Sequence, residues 1–561
     1  MNELKYERAW TDRLFVPLAI LFFTIASVLS INQYHFGVSD QSITIPFLKA
    51  SINSELYAGD YLLGQIPYYY TYLWKALGFG VKHFGADISI LFFVSYFIAV
   101  YLTFLGVYLI AKTLFGNREV AFLSIFFILF SKPGLAGAAT LNSVFLTKVA
   151  VLPILLFSIY FFFKGRYMLS FILQGIGFLV HPMTTFYAIA IILISSIVNL
   201  RYIGIKTFLL CITVLIVLAS PILVWKVLQS PASLSLLYAD PRWIELLELR
   251  SPHHIFPFSW GMGTFFQAGL LLCIFLISWK HRPKPDYHHV VITFIVTIFA
   301  MCAVGIIFSE FAPLSIVLNL QLFRSFQFLV YFAMIYFANY FFTEIQVREN
   351  IFDKLVVAVA SIGILYGATS WKYAYVAFLG LSVFLICYHF LYRREFLLSR
   401  YFVLALVVIV LILGSGVYLI RGDFSIDNAQ EENWLDVQVW AKQNTRPKDV
   451  FIVPPTLAGF RVESERAIYG DWKDGTLMNF NPSFGYEWFR RMEKLGYREG
   501  YSFEEGFKNL TEPDFNSIAG ETQTGDSKAY KTFLVMFKER DTLKFPIVYG
   551  NEKFIVYEIA Q

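Results

Sequence analysis

Charge is what this sequence has least of. Asp, Glu, Lys and Arg make up 15% of its 561 residues and hydrophobic types 57%, whereas about a quarter of an average soluble protein is charged. An ordinary water-soluble enzyme is excluded on that ground. Cysteine is scarce as well. Cys211, Cys273, Cys302 and Cys387 all fall inside apolar segments, so they read as small packing residues and no disulfide framework organises the chain. The triplet Asp-x-Asp occurs nowhere. The net charge of +5 does not point to nucleic acid as a partner, because the bases sit in short loops between apolar runs, where membrane topology accounts for them. No small-residue cleavage site clearly follows the first apolar segment, which therefore reads as a retained signal anchor.

What the sequence has in abundance is Phe, Tyr, Leu, Ile and Val in long runs from Leu14 to Ile420. A helix needs about 20 residues to cross a hydrocarbon core of about 30 Å, and in lipid only a helix or a closed barrel satisfies its own backbone. Spans are expected at 14–31, 88–111, 119–131, 144–163, 167–180, 183–200, 207–226, 265–279, 290–308, 326–343, 355–370, 373–391 and 401–420. The fold class is thus an α-helical polytopic membrane protein of about 13 spans (N-in/C-out) with a C-terminal α/β extracytoplasmic domain. Residues 1–420 form the transmembrane part, with large outer loops at 32–87 and 227–264, and residues 421–561 the soluble domain. The orientation follows from the bases. Lys5, Arg8, Arg13, Lys112, Arg118, Lys164, Arg166, Arg201, Lys206, Lys280, Arg282 and Lys284 all fall in the N-terminal segment or in alternate short loops, which the positive-inside rule places in the cytoplasm.

Candidate chemistry gathers in the outer loops. Asp40 stands about nine residues past the first span, after Gly37. Its carboxylate is read either as a general base with a raised pKa, beside aromatic rings, or as an N-cap to the apolar run Ile43 to Leu48. Tyr57 and Asp60 open a Tyr-rich stretch through Tyr72, which suits an interfacial aromatic belt or a tyrosine-lined groove for a lipid or a sugar. His181, held extended by Pro182, faces the outer cavity or bonds a carbonyl within a tight hairpin. Arg242, His253 and His254 lie in a loop rich in acids and aromatics that reads as substrate-facing. Adjacent histidines point apart, so the metal signal there is weak. Arg324, at the mouth of the tenth span, either snorkels to head groups or offers its guanidinium fork to a phosphate. In the soluble part, Arg461, Arg466 and Lys473 surround Asp471 and read as solvated surface or as an acceptor or phosphate site.

A cytoplasmic N-terminus, an acid just past span one in a large outer loop, many spans and an outer C-terminal domain together resemble the GT-C class of membrane glycosyltransferases. That class includes the protein mannosyltransferases, the aminoarabinose transferases of lipid A and the oligosaccharyltransferases. The resemblance implies a lipid-linked donor, a polyprenyl phosphate- or diphosphate-linked sugar, with Asp40 as base or metal ligand and Arg324 as phosphate anchor. It also implies a bacterial inner (plasma) membrane location, with residues 421–561 periplasmic or extracellular. The chain departs from the class in carrying Gln41 after Asp40, where mannosyltransferase-like members have an Asp-Glu pair, and in having no acid in the loop 132–143. No metal site and no cofactor are assigned, and a divalent metal stays open. Tyr469-Gly470-Asp471-Trp472-Lys473-Asp474-Gly475 is superficially similar to the oligosaccharyltransferase Trp-Trp-Asp-Tyr-Gly motif, in a different order. A lipid or polysaccharide transporter, flippase or polymerase, and a non-catalytic assembly factor, are the competing readings. A transporter usually carries polar or broken helices at the bilayer midplane, whereas here the polar residues gather at one face.

The topology makes a direct prediction. A cysteine placed at Trp472 reacts with an impermeant thiol reagent in intact cells, and one placed at Lys284 reacts only after the membrane is opened. The reverse pattern overturns the orientation.

Overall fold

The computed structural model describes residues 2–229, 237–280, 287–350, 353, 354, 357, 361, 427–522, 531–540 and 543–559. Among these, six helical stretches are long and apolar enough to cross a membrane: Leu14–Ile31, Ile88–Phe115, Ile205–Gln229, Met262–Lys280, His288–Phe311 and Ser315–Val347. Three shorter apolar helices, Thr147–Phe163, Tyr167–Val180 and Pro182–Val198, stand at the spans expected there. The chain is an integral membrane protein. The expected spans at 355–370, 373–391 and 401–420 lie, but for Val357 and Ser361, outside the described residues.

Local chemistry sets the helix ends. Helix α1 (Asn2–Ala26) runs on through a widened turn at Ser27–Ile31 into the first outer loop. That loop contains α2 (Gln41–Ile52) and α3 (Leu73–Phe84). The next helix, α4 (Ile88–Phe115), begins where the Asp87 carboxylate accepts the Ile90 N–H, and ends at Gly116 with φ 67°. That left-handed conformation stops a helix at little cost only in glycine. Asn117 then caps α5 (Arg118–Leu129). Helices α6 (Thr147–Phe163), α7 (Tyr167–Val180) and α8 (Pro182–Val198) follow as a tight hairpin series. In the middle of α6 and α7, Ser158 donates to the Ser170 carbonyl at 2.9 Å, and Gln174 donates to the Ser158 hydroxyl at 3.2 Å. Such bonds hold helices together where lipid supplies no hydrophobic drive.

The C-terminal region is α/β. Strands β1 (Val450–Ile452), β2 (Ala467–Ile468), β3 (Thr532–Phe537), β4 (Ile547–Gly550) and β5 (Phe554–Ile559) form a mixed sheet in the order β2-β1-β3-β5-β4. The first three are parallel; β5 runs antiparallel to both β3 and β4. One face is covered by the helix Glu432–Asn444 through Trp434, Val437 and Ala441. The other is covered by the helices Pro482–Lys494 and Glu512–Thr522 through Trp488, Met492, Phe515 and Ile518. The helices Glu432–Asn444 and Pro482–Lys494 and the strands β1, β3 and β5 stand on clear apolar patterns, whereas two-residue β2 and the exposed edge strand β4 carry too little apolar pattern to be read.

The domain does not keep its core to itself. Ile43 and Phe47 of α2, with Leu62, are buried in the same cluster as Phe484, Trp488 and Met492. An ion cluster closes the same interface. Arg461 is 2% exposed and forks onto two carboxylates, reaching Asp60 at 2.6 Å and Asp474 at 2.8 Å. Asp60 accepts further hydrogen bonds from the Ile468 and Leu62 N–H groups, both at 3.0 Å. Tyr57 donates its hydroxyl to the Arg461 carbonyl at 2.9 Å. These two outer-loop residues, expected to face a substrate, are instead fully engaged in docking the loop to the domain.

Removing one partner of a buried ion pair costs about 3–5 kcal/mol, because the other charges stay buried and uncompensated. Arg461→Met, which orphans Asp60 and Asp474, is therefore expected to lower the melting temperature of the purified protein sharply and to open loop 32–87 to protease. Lys553→Met breaks an exposed pair with Glu431 (58% and 45% exposed) and should change stability by less than about 1 kcal/mol. Equal melting shifts for the two variants would show that the cluster does not hold the interface.

Candidate functional site

Asp40 stands at the start of α2, but its side chain makes no cap. The backbone puts it there: Gly37 (φ 80°) and Ser39 (φ 58°) turn the chain left-handed just before it. A Cβ on Gly37 would meet the Asn428 side chain at 2.4 Å, so the close approach of the two chain segments also needs glycine. Gln41 then locks the turn. It accepts from the Gly37 N–H at 2.8 Å and donates to the Phe145 carbonyl at 3.1 Å. Freed from capping, the Asp40 carboxylate meets Lys473 Nζ at 2.5 Å.

Lys473 is delivered by the docking interface. Asp471 and Asp474 form a reciprocal capping box around the 3-10 turn Trp472–Asn479, and Arg461 grips Asp474 from behind. With both acids committed, the Lys473 side chain between them extends to Asp40. The sequence cluster of Arg461, Arg466 and Lys473 thus divides. Arg461 is buried against Asp60 and Asp474, Arg466 bonds Thr445 and the Lys442 carbonyl, and Lys473 reaches Asp40.

Other elements close round the same point. Lys148, in the first turn of α6, is half-buried and acts electrostatically on Asp40 together with Lys473 and Arg324. It makes no hydrogen bond or ion pair with any described residue. The Nε of Arg324 donates to the Ala136 carbonyl at 3.2 Å, while its two terminal nitrogens make no hydrogen bond to a described residue. His254 Nδ1 donates to the same carbonyl at 2.9 Å, which fixes its neutral tautomer. A Cβ on Gly137 (φ 71°) would meet the His254 ring at 2.8 Å, so this loop has to be glycine-bearing to seat the imidazole. Arg250 closes the rim, its Nε donating to the Trp472 carbonyl at 3.0 Å.

His181 lies between α7 and α8 and caps the latter, its Nδ1 accepting the Thr184 N–H at 3.1 Å. The proton therefore sits on Nε2. Burial, with Arg324 and Lys148 nearby, holds the ring neutral by pushing its pKa down to about 3. His254 is likewise lowered, to about 2, by burial and by Arg324. For Asp40, burial would raise the carboxyl, but the charges of Lys473, Lys148 and Arg324 outweigh it and bring the pKa to about 2. The raised value expected from the sequence is thus corrected, because the aromatic surroundings come with cations. Arg324 acts electrostatically on Asp40, His181 and His254, and His253 is exposed. Arg242 is not part of this group: exposed, it stacks on the Tyr486 ring at 5.0 Å. Lys148 and Arg250 were missed as site residues, and Lys473, read as solvated surface or as an acceptor or phosphate site, was not linked to Asp40. A lysine one turn into an apolar span was itself a signal, since charge in a span is functional by default.

Residues 432–495 match a protein family described as a domain of unknown function, DUF6798. No curated protein matches the chain. Among solved structures, the chain is similar to the archaeal oligosaccharyltransferase AglB from Archaeoglobus fulgidus, solved in complex with an inhibitory peptide and a dolichol-phosphate. The identity is 12% and the TM-score 0.42, over 94% of this chain and 70% of that chain. At that score the two do not superpose closely, and no residue role follows from the likeness.

A prediction follows from the Asp40 ion pair. Its folded-state pKa is about 2, below the unfolded value of about 3.9. The pair therefore stabilises the fold above that unfolded value and stops doing so as pH falls through about 2. With the carboxylate 41% exposed, the contribution is small. Lys473→Met should shift the protonation of Asp40 to higher pH, read as the carboxylic-acid infrared band that Asp40→Asn removes. An unmoved band would mean that Lys473 does not control this carboxylate.

Proposed function

We propose that this protein is a membrane glycosyltransferase of the GT-C type that uses a polyprenyl-phosphate-linked sugar donor at the outer membrane face. One observation carries the reading: a single carboxylate, Asp40, lies among Lys473, Lys148 and Arg324, of which Lys148 and the Arg324 fork have no hydrogen-bond partner among the described residues. Unpartnered cations in a half-buried recess are costly unless an anion arrives. A lipid-linked phosphate or diphosphate is such an anion, and a guanidinium held at Nε presents its two terminal N–H groups for bidentate binding.

The same groups define a reaction. An acceptor hydroxyl oxygen bonds to the anomeric carbon of the donor sugar. The bond from that carbon to the phosphate oxygen breaks, and its electron pair leaves with the lipid phosphate. The acceptor's proton passes to Asp40. In the resting protein Asp40 is a weak base, because Lys473 neutralises it. A donor phosphate that draws Lys473 and Arg324 onto itself removes that brake and raises the carboxylate's basicity when an acceptor is needed. Neutral His181, whose Nε2–H meets no described residue, donates to the donor or acceptor sugar in this reading. Residues 421–561, which supply Lys473, lie outside the membrane in this reading.

The test is turnover of a polyprenyl-phosphate sugar by the purified protein. Asp40→Asn should lower it by about the 10²–10⁴-fold typical of general-base loss without unfolding the protein, since the side chain caps nothing. Arg324→Lys should weaken the apparent donor affinity and Arg324→Ala should weaken it further. Near-normal turnover in the first variant and equal affinity in the other two would remove the reading.

A further inference from the structure

The α/β domain carries a second recess, on the sheet face opposite the cluster that Ile43 and Phe47 join. The helix Glu432–Asn444 packs on this face through Trp434, Val437 and Ala441. Phe533 of β3 pairs across to Glu558 of β5. Beside them is a cavity of about 250 Å³ walled by Trp440 and Asn444 on the helix side and Val548 of the edge strand on the other.

Its lining has the chemistry of one ligand class. The Trp440 ring is fixed: it stacks on Tyr549 (5.1 Å between centroids, 17° between planes) and stands edge-on to Phe533. Its indole N–H makes no hydrogen bond to a described residue. The charged groups around it are balanced, Lys531 pairing with Glu558 at 2.7 Å and Arg446 with Asp449 at 3.7 Å. Asp449 is 2% exposed, yet one of its carboxylate oxygens accepts no hydrogen bond. A recess without excess charge gives little preference for a phosphate or a free carboxylate, and its volume is too small for a peptide segment with side chains. A rigid aromatic wall beside carboxylates and an amide suits a ring that is apolar through its C–H face and rich in hydroxyls at its edge.

We propose that this recess binds a neutral hexose unit. The inference does not rest on the transferase reading, because it shares no residue with the Asp40 recess. It is tested by saturation-transfer NMR on the full chain in lipid nanodiscs, with the methyl glycosides of glucose, galactose, mannose and N-acetylglucosamine as probes. At least one probe should receive saturation from the wild type. Trp440→Ala should weaken that binding by about tenfold or more, the scale of a lost aromatic contact. Val548→Trp, at an exposed edge position, fills the cavity from outside without touching the core and should abolish binding. Asp40→Asn should leave it unchanged, which separates this site from the other. No transfer to any of the four probes, or undiminished transfer in both recess variants, would overturn the proposal.

Discussion

The arrangement of this protein depends on one buried guanidinium. Arg461 is bidentate to Asp60 in the first outer loop and to Asp474 in the α/β domain, so it ties two segments some four hundred residues apart. Burial alone would favour loss of its proton, but Asp474 and Asp60 hold it charged, its pKa well above the usual range. Asp471 next to it is pushed the other way: burial first, then the Asp474 carboxylate, raise its pKa well above the ordinary value. The cluster pins the loop to the domain, and a small apolar interface through Ile43, Phe47 and Leu62 surrounds it.

From that pin the Asp40 recess follows. The capping box that contains Asp474 also sets the direction of Lys473, and the docked loop sets Asp40 opposite to it. The first outer loop and the outer domain thus meet through charge pairs as well as through the apolar contacts of Ile43, Phe47 and Leu62. Around the Asp40–Lys473 pair, Lys148 and the terminal nitrogens of Arg324 have no hydrogen-bond partner among the described residues. Glu245 and Glu248 are in the neighbouring outer loop but point to solvent, and the rim residue Arg250 binds a carbonyl and a hydroxyl instead. Stability alone would favour neutralising the recess. Its retained positive character is the physical reason to look for an anionic ligand there.

The balance of the second recess is the reverse. Each of its charges is matched inside the domain, and its aromatic wall is held by stacking. One domain thus has a charged side turned toward the membrane loops and a neutral, aromatic-walled side turned away from them.

The sequence by itself determined the elements that depend on local composition. Apolar runs long enough for the bilayer located the membrane helices, because no other structure satisfies a backbone in lipid. The alternation of Trp434, Leu435, Val437 and Trp440, and the short runs at 450–453, 532–537 and 554–559, marked the α/β domain. Asp40, His181 and Arg324 were legible one by one, each as a polar group at the end of an apolar segment. Tertiary structure alone decided which of them meet. Asp60 and Tyr57 looked equally eligible, but a partner hundreds of residues away took them for docking. Lys473 read as solvated surface or as a phosphate site, but nothing local shows that the acids beside it are engaged with Arg461 and with each other, or that its partner is Asp40. Long-range ion pairs leave no periodic trace in a sequence, so the partner of a charge, and with it the charge's role, is fixed only when the chain has folded.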